Sequence, residues 1–597
     1  MLSPDSRSLL LESLRPPTEH TLDHAIATTF TLDLTAALTP TLAFGRYSYD
    51  STAPDPMALL ESLRASGERL DIFCQGGSIS IPDRASDLLA FLEPVVHPVK
   101  SPAHGLFHPK LWFLKFLSST GVPSYRLLVL SRNLTFDNGW DTMLRLDSAR
   151  VLSKISPINA PLSRFLTSLP GRTVSELPSK RRLKIEQISR ECRRIEWELP
   201  DGVDEMLFHV VDGKRPTTLD LSGREHLIIA PFINDTGAEL WAPGDGPLTV
   251  VSRPEALEHL TPELAQQLNA FVVDTVGAVE QQTVEQSVLG ALHAKVVVIE
   301  PYGRKQRAHI LLGSANATDA AMQRNVEFIV ELRGPRRLLG IEALVGTDAP
   351  LRRILAEYSP AGGATLDLEE ELLLEAGAIL RAAAQLSHRV EVTASEGEGT
   401  QETHTVHLSA SHPYAMEEGW TGAVELLTRP GEALPVSQNR EFGVFTNVKT
   451  SEITPFLRIN VSGPQGVKAS CVVMAELIKD PPNRLDIILA SQIDTPEKFL
   501  QFLRLLLSMG DPLLMADVEQ LNAEGSQSTD PSWGSGGAGI LELILRSMTT
   551  RPHALKDLGN FINSLKETEQ GRSVLPPGMD KLWSAVVSAQ RVLEEDE

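Results

Sequence analysis

Two segments of the chain each place a histidine and a lysine two positions apart, followed by a serine and an asparagine. In the later segment, residues 292–327, these side chains are His293, Lys295, Ser314 and Asn316, with Glu327 at the end. An imidazole can attack phosphorus or move a proton, a lysine neutralises anionic charge, and a hydroxyl and a carboxamide donate hydrogen bonds. This set of groups suits an anionic tetrahedral group such as a phosphodiester.

The sequence around these side chains predicts two strands. VVVIE follows the His-x-Lys pair, and after a polar turn HILLG ends at Ser-x-Asn. Because side chains alternate between the faces of an extended chain, His293 and Lys295 should project from one face. If the second strand pairs with the first, Ser314 and Asn316 reach the neighbouring strand end, and the four side chains meet.

An earlier segment repeats the pattern. Its residues are His108, Lys110, Ser131, Asn133 and Asp141. The interval from His to Asn is 133 − 108 = 25 in this copy and 316 − 293 = 23 in the later one. Among the 15 histidines of the chain, only these two have a lysine at the second position after them. The repetition indicates a duplication, with its histidines 293 − 108 = 185 residues apart, whose halves build one shared site.

With these motifs the sequence resembles the phospholipase D superfamily, whose members build one active site from two His-x-Lys…Ser-x-Asn…Glu halves. The resemblance covers roughly residues 30 to 340. The family's aspartate seven residues after each histidine is replaced by Lys115 and Glu300, and the first copy ends on Asp141 rather than on a glutamate. We interpret the missing aspartates as structural. In the first copy, SRNLTFDNGWDT looks more like the tyrosyl-DNA phosphodiesterase branch.

The resemblance implies a reaction through a phosphohistidine. His108 would be the nucleophile and His293 the general acid, with the reverse assignment left open. Four side chains would hold the non-bridging phosphate oxygens: Lys110, Lys295, Asn133 and Asn316. Ser131 and Ser314 would bind the phosphate or orient these groups, and Asp141 and Glu327 would each accept a hydrogen bond from an imidazole. No metal and no other cofactor is expected, because two lysines supply the positive charge.

Length and charge set limits on the protein. A chain of 597 residues should form more than one domain, because a single core rarely grows past ~250–300 residues. Of the net charge of −22, residues 361–597 contribute 18 − 34 = −16, so residues 1–360 contribute −6. This acidity is unfavourable for indiscriminate nucleic-acid binding, which depends on lysine and arginine neutralising phosphates. It remains compatible with a local basic cleft.

The sequence predicts a cytoplasmic protein with no membrane partner. Cys74, Cys192 and Cys471 lie far apart without metal-ligand spacing, which favours reduced and buried thiols. The first residues lack the basic and apolar regions of a signal peptide. No stretch reaches the ~18 continuous apolar residues that a membrane-spanning helix requires.

Strands alternating with helices predict an α/β fold: two phospholipase D-like α/β/α sandwich halves around one shared site, then a C-terminal β-rich module and helices. The predicted ranges are 1–170 for the first half, 171–215 for a helical bridge, 216–358 for the second half, 365–480 for the β-rich module, and 481–597 for a helical region with a flexible loop at 522–540. A helix is also expected at 56–66. The basic cluster at 180–194 is interpreted as a solvated helix face with internal ion pairs, with a nucleic-acid contact as the alternative.

The predicted function is that of a metal-independent phosphodiesterase, a nuclease acting on DNA or, as an open alternative, RNA. The chain also resembles bacterial phospholipase D-like proteins associated with helicases, so we expect a role in defence against foreign DNA and a helicase or ATPase partner bound by the C-terminal region. A lipid phosphodiesterase and a non-catalytic assembly subunit are the alternatives. A lipid enzyme should carry an exposed apolar rim near His108 and His293, and a nuclease should carry lysine and arginine there. The oligomeric state is left open.

Overall fold

The computed structural model describes residues 10–44, 67–82, 87–136, 139–213, 219–274, 291–303, 306–394, 403–436 and 439–482, together with separate positions between 484 and 595. The predicted helix at 56–66 and the predicted loop at 522–540 lie outside the described residues. Within the described ranges, no helix is both long enough and apolar enough to cross a bilayer.

The first half is built on a seven-stranded sheet. Its strands, including three short ones outside that sheet, are β1 (His20–Thr29), β2 (Leu32–Asp33), β3 (Leu70–Gln75), β4 (Ile79–Ser80), β5 (Val96–Val99), β6 (Leu111–Ser118), β7 (Pro123–Leu130), β8 (Gly139–Trp140), β9 (Met143–Val151) and β10 (Ile195–Trp197). The strand order is β10-β9-β7-β6-β1-β3-β5. Its α-helices are Leu10–Leu14, Leu34–Phe44, Ala160–Ser168 and Ser179–Cys192. Strand β3 is buried along its whole length, because elements cover both faces of the sheet.

The second half is built on an eight-stranded sheet. Its strands, including the short β15 outside that sheet, are β11 (Glu205–Val211), β12 (Glu225–Ile229), β13 (Leu248–Val251), β14 (Asn269–Val273), β15 (Ala291–Leu292), β16 (Val296–Glu300), β17 (Arg307–Gly313), β18 (Glu327–Pro335) and β19 (Leu355–Tyr358). The strand order is β11-β18-β17-β16-β12-β13-β14-β19. Its α-helices are Asp235–Trp241, Pro254–Glu258, Pro262–Ala265, Asp319–Gln323, Arg336–Leu339 and Ile341–Val345.

The two sheets repeat one topology. The order β9-β7-β6-β1-β3-β5 in the first corresponds to β18-β17-β16-β12-β13-β14 in the second. In each sheet three parallel strands are followed by antiparallel ones. The predicted α/β fold with two duplicated halves is therefore confirmed.

A shared apolar core joins the two halves face to face. Its aromatic members form a continuous series: the ring of Phe165 lies 6.5 Å from Phe107 and 5.6 Å from Phe328, and Phe208 lies 5.8 Å from Phe328 and 6.4 Å from Trp197. All five residues are buried. Fully burying one such side chain stabilises the fold by about 1.5–3 kcal/mol, so this layer is a strong reason for the sheets to pack together.

The predicted helical bridge, 171–215, is helical only in part. It contains the helix Ser179–Cys192, but also β10 and β11. Strand β10 pairs with β9 of the first sheet and β11 pairs with β18 of the second, so the segment is divided between the halves. The sequence did not indicate β10, because its three residues are too few to show an alternating pattern.

The basic cluster on the helix Ser179–Cys192 is largely engaged in ion pairs. Arg182 Nε lies 3.1 Å from Glu186 Oε1 on the same helix, as the sequence indicated. Lys184 Nζ lies 2.9 Å from Asp23 Oδ2, and Arg181 Nη1 lies 2.6 Å from the buried Asp71 Oδ1. These two contacts hold the helix to β1 and β3, so part of the cluster has a structural role.

Among its described residues, the C-terminal module contains the helix Leu368–Ala384 and eight strands. These are β20 (His388–Ala394), β21 (Thr403–Ala410), β22 (Thr421–Leu426), β23 (Leu434–Pro435), β24 (Glu441–Lys449), β25 (Phe456–Ser462), β26 (Lys468–Met474) and β27 (Glu476–Ile478). One sheet has the order β24-β21-β20-β27 and the other β2-β4-β26-β25-β22-β23. Because β2 and β4 come from the first half, the second sheet joins the module to that half. The α-helices described after it are Arg484–Gln492, Glu569–Val574 and Met579–Glu595.

The three cysteines are buried and form no disulfide, as predicted. Burial raises the pKa of the Cys192 and Cys471 thiols to about 12. The thiols therefore stay protonated and behave as small apolar side chains.

Candidate active site

Backbone pairing between the halves positions each motif histidine. The His108 N–H donates to the carbonyl oxygen of Val326 at 3.0 Å, and the His293 N–H donates to that of Trp140 at 2.8 Å. Val326 and Trp140 directly precede the acidic residues that end the two motifs. The histidine of each half is consequently placed beside the acidic residue of the other half, which the motif spacing alone does not specify.

The side chains of His108 and Glu327 form a buried pair across the two halves. His108 Nδ1 lies 3.0 Å from Glu327 Oε2. Burial acts to raise the pKa of Glu327, but His108, Lys110 and Ser314 outweigh it and the pKa is lowered. Because an ionised carboxylate only accepts hydrogen bonds, Nδ1 carries the imidazole proton and Nε2 carries the lone pair.

His108 is neutral at physiological pH. Burial lowers its pKa to about 4, Glu327 opposes this shift, and Lys110 and Lys295 add to it. The ring of Phe30 covers the imidazole at 5.2 Å between ring centroids. A neutral imidazole with a bare Nε2 has the protonation state that a nucleophile needs.

The two motif lysines are buried close to one another. Lys110 Nζ donates to the carbonyl oxygen of His108 at 2.9 Å, and Lys295 Nζ donates to those of His293 and Ser131 at 3.0 and 3.1 Å. Burial, and then the charge of Lys295, lower the pKa of Lys110 well below its usual value. Binding of a phosphodiester anion would offset this repulsion and favour the charged lysines.

The two motif asparagines share an unusual feature. Within the described part of the chain, the buried Oδ1 atoms of Asn133 and Asn316 have no hydrogen-bond partner. Buried polar atoms without partners are rare in folded proteins. A half-turn of either amide would put its NH₂ group in the same position, where it could donate to a phosphate oxygen.

The motif serines are engaged inside the protein. The Thr142 N–H donates to Ser131 Oγ at 2.8 Å, and the Phe328 N–H donates to Ser314 Oγ at 3.0 Å. Ser314 Oγ also donates to Glu327 Oε2. Both serines are buried, so the geometry favours the orienting role over direct phosphate binding.

Asn325 contacts the site and was not found from the sequence. Its Nδ2 donates to Glu327 Oε1 at 3.0 Å, and its Oδ1 accepts from the Leu106 N–H at 3.0 Å. It therefore fixes the carboxylate relative to the loop that leads into His108. The corresponding residue of the first copy, two positions before Asp141, is Gly139, so comparing the copies gives no signal.

The second acidic residue, Asp141, lies in a more open position. It follows Trp140, as Glu327 follows Val326, and so takes the equivalent place beside His293. Its side chain is 28% exposed, and its Oδ2 lies 3.4 Å from Arg132 Nε. The His293 half of the site is thus nearer to water than the His108 half.

The rim beside His293 combines an aromatic ring with an arginine. Phe232 is 51% exposed, and the Arg253 guanidinium lies 5.0 Å from its ring centroid. Arg253 Nη2 donates to the carbonyl oxygen of Leu292 at 3.0 Å, next to His293 in the chain. On the first half, Phe136 is 59% exposed three residues after Asn133. Both rim types that the sequence distinguished, basic and apolar, are therefore present.

The residues that replace the family's aspartates form ion pairs outside the site. Lys115 Nζ lies 2.9 Å from Glu191 Oε2, and Glu300 Oε2 lies 2.9 Å from Arg336 Nε. Each lies seven residues beyond its histidine, which is roughly 23 Å along an extended chain. These contacts support the interpretation of both positions as structural.

Neither a family model nor a curated protein matches the chain. Among solved structures, yeast tyrosyl-DNA phosphodiesterase is similar at 14% identity and a TM-score of 0.36, covering 55% of this chain and 86% of that one. Phosphatidylserine synthase from Haemophilus influenzae Rd KW20 is similar at 11% identity and a TM-score of 0.33, covering 62% and 90%. Likenesses this low carry no argument about activity or substrate. The resemblance to the phospholipase D superfamily rests on the duplicated sheet and on the paired motifs that meet in one site.

Proposed function

We propose that this chain is a phosphodiesterase that forms a phosphohistidine on His108. The observation that carries the proposal is the buried His108–Glu327 pair, which leaves a neutral imidazole with its Nε2 lone pair available beside two lysines. Positive groups arranged in advance around a reacting phosphate stabilise the charge that develops in the transition state. The arrangement supports the assignment of His108 as nucleophile.

The reaction has two steps. In the first, His108 Nε2 attacks phosphorus, a P–N bond forms, the P–O bond to the leaving group breaks, and the leaving oxygen takes a proton from His293. In the second, water attacks phosphorus, His293 accepts a proton from that water, and the P–N bond breaks with its electron pair returning to Nε2. Lys110 and Lys295 neutralise the non-bridging oxygens in both steps. The openness at Asp141 supports the proton-transfer role of His293, since water has to enter on that side.

The substrate that we propose is nucleic acid, with DNA first and RNA as the alternative. Exposed phenylalanines stack on bases, and arginines beside them neutralise phosphates, a combination typical of single-strand binding. Phe232 with Arg253 supplies this combination near His293. The exposed Phe232 and Phe136 also suit a lipid surface, so a lipid phosphodiester is the second candidate. The defence role, the helicase or ATPase partner and the cytoplasmic location stay predictions from the sequence.

The direct test is cleavage in EDTA. The purified chain and its His108→Ala variant are incubated with single-stranded DNA, duplex DNA, RNA and phosphatidylcholine vesicles. We expect the wild type to cleave DNA and the variant to be inactive. Loss of cleavage in EDTA would refute a metal-independent reaction. If the wild type cleaves none of these substrates, alone or with a helicase, the alternative of a non-catalytic assembly subunit is favoured.

A substitution at the rim distinguishes a nucleic-acid substrate from a lipid substrate. Phe232→Ala should raise KM for single-stranded DNA roughly tenfold, because stacking contributes about 1–3 kcal/mol per base. The matched control is Tyr302→Ala, which removes an exposed ring on a loop after β16, away from the motif residues. A loss confined to vesicle hydrolysis, with DNA cleavage unchanged, would favour the lipid alternative.

A further inference from the structure

The helix Leu368–Ala384 of the C-terminal module packs against the turn that follows β3. A side chain on Gly76 would place its Cβ 3.2 Å from the carbonyl oxygen of Ala384, and one on Gly77 would place its Cβ 3.0 Å from the Arg381 Cα. Gly77 also has a φ of +82°, which favours glycine. The two glycines allow the end of the helix to approach the backbone of the first half.

Hydrogen bonds continue from this helix end to the active site. Gln385, directly after the helix, accepts from the Ser101 N–H at 3.0 Å and donates through Nε2 to Ser101 Oγ at 3.2 Å. Gln75 Nε2 donates to the same Oγ at 2.6 Å, and Gln75 Oε1 accepts from the Phe107 N–H at 2.7 Å. Phe107 directly precedes His108. We call Gln385, Ser101 and Gln75 the amide relay.

The amide relay and the second half hold the same loop from two sides. On the second-half side, the Leu106 N–H donates to Asn325 and the His108 N–H donates to Val326. On the other side, the amide relay binds the loop at Ser101 and at Phe107. Gln75 is fully buried, so its hydrogen bonds are shielded from water and strongly directional.

We propose that Gln385 is a positioning residue through which the C-terminal module fixes the loop 101–107 and hence the imidazole of His108. The catalytic meaning of this role rests on the proposed function. The module would then be part of the scaffold of the active site, in addition to any partner that it binds.

The pKa of His108 measures how well the surrounding protein shields its imidazole from water. The charged groups that face it are Glu327, Lys110 and Lys295, and burial is the main cause of its lowered pKa, about 4. If the loop loosens, water reaches the ring and the pKa rises towards its ordinary value of 6.5.

The test is a histidine titration by NMR on the full chain with ¹³C-labelled histidine. The His108 signal is the one that His108→Ala removes. Gln385→Ala should raise the pKa of His108 by about one unit. Ser101→Ala should do the same, because it removes the hydroxyl that both amides bind while leaving the module intact; it decides the question if Gln385→Ala does not fold. Where DNA is cleaved, both variants should lower kcat roughly tenfold with KM unchanged.

The control breaks a different contact of the same helix. Glu375→Ala removes the acceptor of the Trp420 indole N–H, 2.9 Å away inside the module, and should leave the pKa of His108 unchanged. An unchanged pKa in both Gln385→Ala and Ser101→Ala overturns the proposal. An equal rise in Glu375→Ala also overturns it, since loosening of the whole module would then be the cause. The titration needs no substrate, so failure of the wild type to cleave DNA would reject the proposed function alone.

Discussion

The two histidines occupy equivalent positions on a duplicated scaffold, yet their surroundings differ. Glu327, beside His108, has a fully buried side chain that Ser314 and Asn325 also bind. Asp141, in the equivalent place beside His293, is 28% exposed and lies near Arg132. The same backbone pairing therefore supports a dry half and a more open half. The difference teaches that the two acidic side chains, on equivalent backbone positions, give the histidines different surroundings.

Chemistry explains why such a division is useful. A nucleophilic imidazole should be neutral and held with one nitrogen free, which burial and a carboxylate provide. A general acid must exchange protons with water in each cycle, which partial exposure permits. These surroundings support the proposed assignment of His108 as nucleophile and His293 as acid, whereas the His-x-Lys and Ser-x-Asn patterns are alike in both copies.

Replacing the histidines should have the largest effect on activity and should distinguish the two halves most clearly. His108→Ala should lower the cleavage rate by roughly 10⁴-fold or more for every substrate, because no phosphohistidine can form. His293→Ala should lose comparable activity on DNA but retain much of it on a p-nitrophenyl phosphodiester, whose leaving group needs no proton. Burst kinetics with both substrates measure this. Retained activity in His108→Ala with the activated substrate would reverse the assignment.

Replacing the acidic residues should lower kcat less, and by different factors in the two halves. Glu327→Gln should lower kcat by roughly 10²- to 10³-fold, because the neutral amide no longer fixes the proton on Nδ1. Asp141→Asn should lower it by roughly tenfold, because its site is partly hydrated. Steady-state kinetics on single-stranded DNA give the two ratios, and equal losses would show that exposure does not distinguish the halves.

The smallest effect concerns stability at acidic pH. The folded pKa of His108, about 4, lies below its unfolded value of 6.5, so the unfolded chain binds a proton that the folded chain excludes. The stability that depends on this difference is fully present above pH 6.5 and is lost progressively as the pH falls to about 4. Between pH 7 and 5, the thermal midpoint of the wild type should therefore fall more than that of His108→Asn. Parallel falls would show that His108 is hydrated in the folded protein.

Much of the fold could be predicted because its signals are local. Apolar strands such as β16 and β17 lead directly into motif residues, and their alternation predicts which side chains share a face. The recurrence of a similar strand pattern later in the chain predicts the duplication. Short elements such as β10, and the pairing of β4 with β26 of the C-terminal module, could not be predicted, since two or three residues carry no pattern and the partner strand lies some 390 residues away.

The sequence by itself determined which reactive groups are available: two His-x-Lys pairs, two Ser-x-Asn pairs and two acidic residues, at similar spacing in both copies. Only the tertiary structure decided which of these groups from the two halves contact one another. It pairs His108 with the acidic residue 219 positions later, brings Lys295 to the Ser131 carbonyl, and adds Asn325 and the amide relay. The physical reason is that burial and hydrogen-bond geometry, which set the protonation of an imidazole, arise when two sheets pack, and no local spacing encodes them.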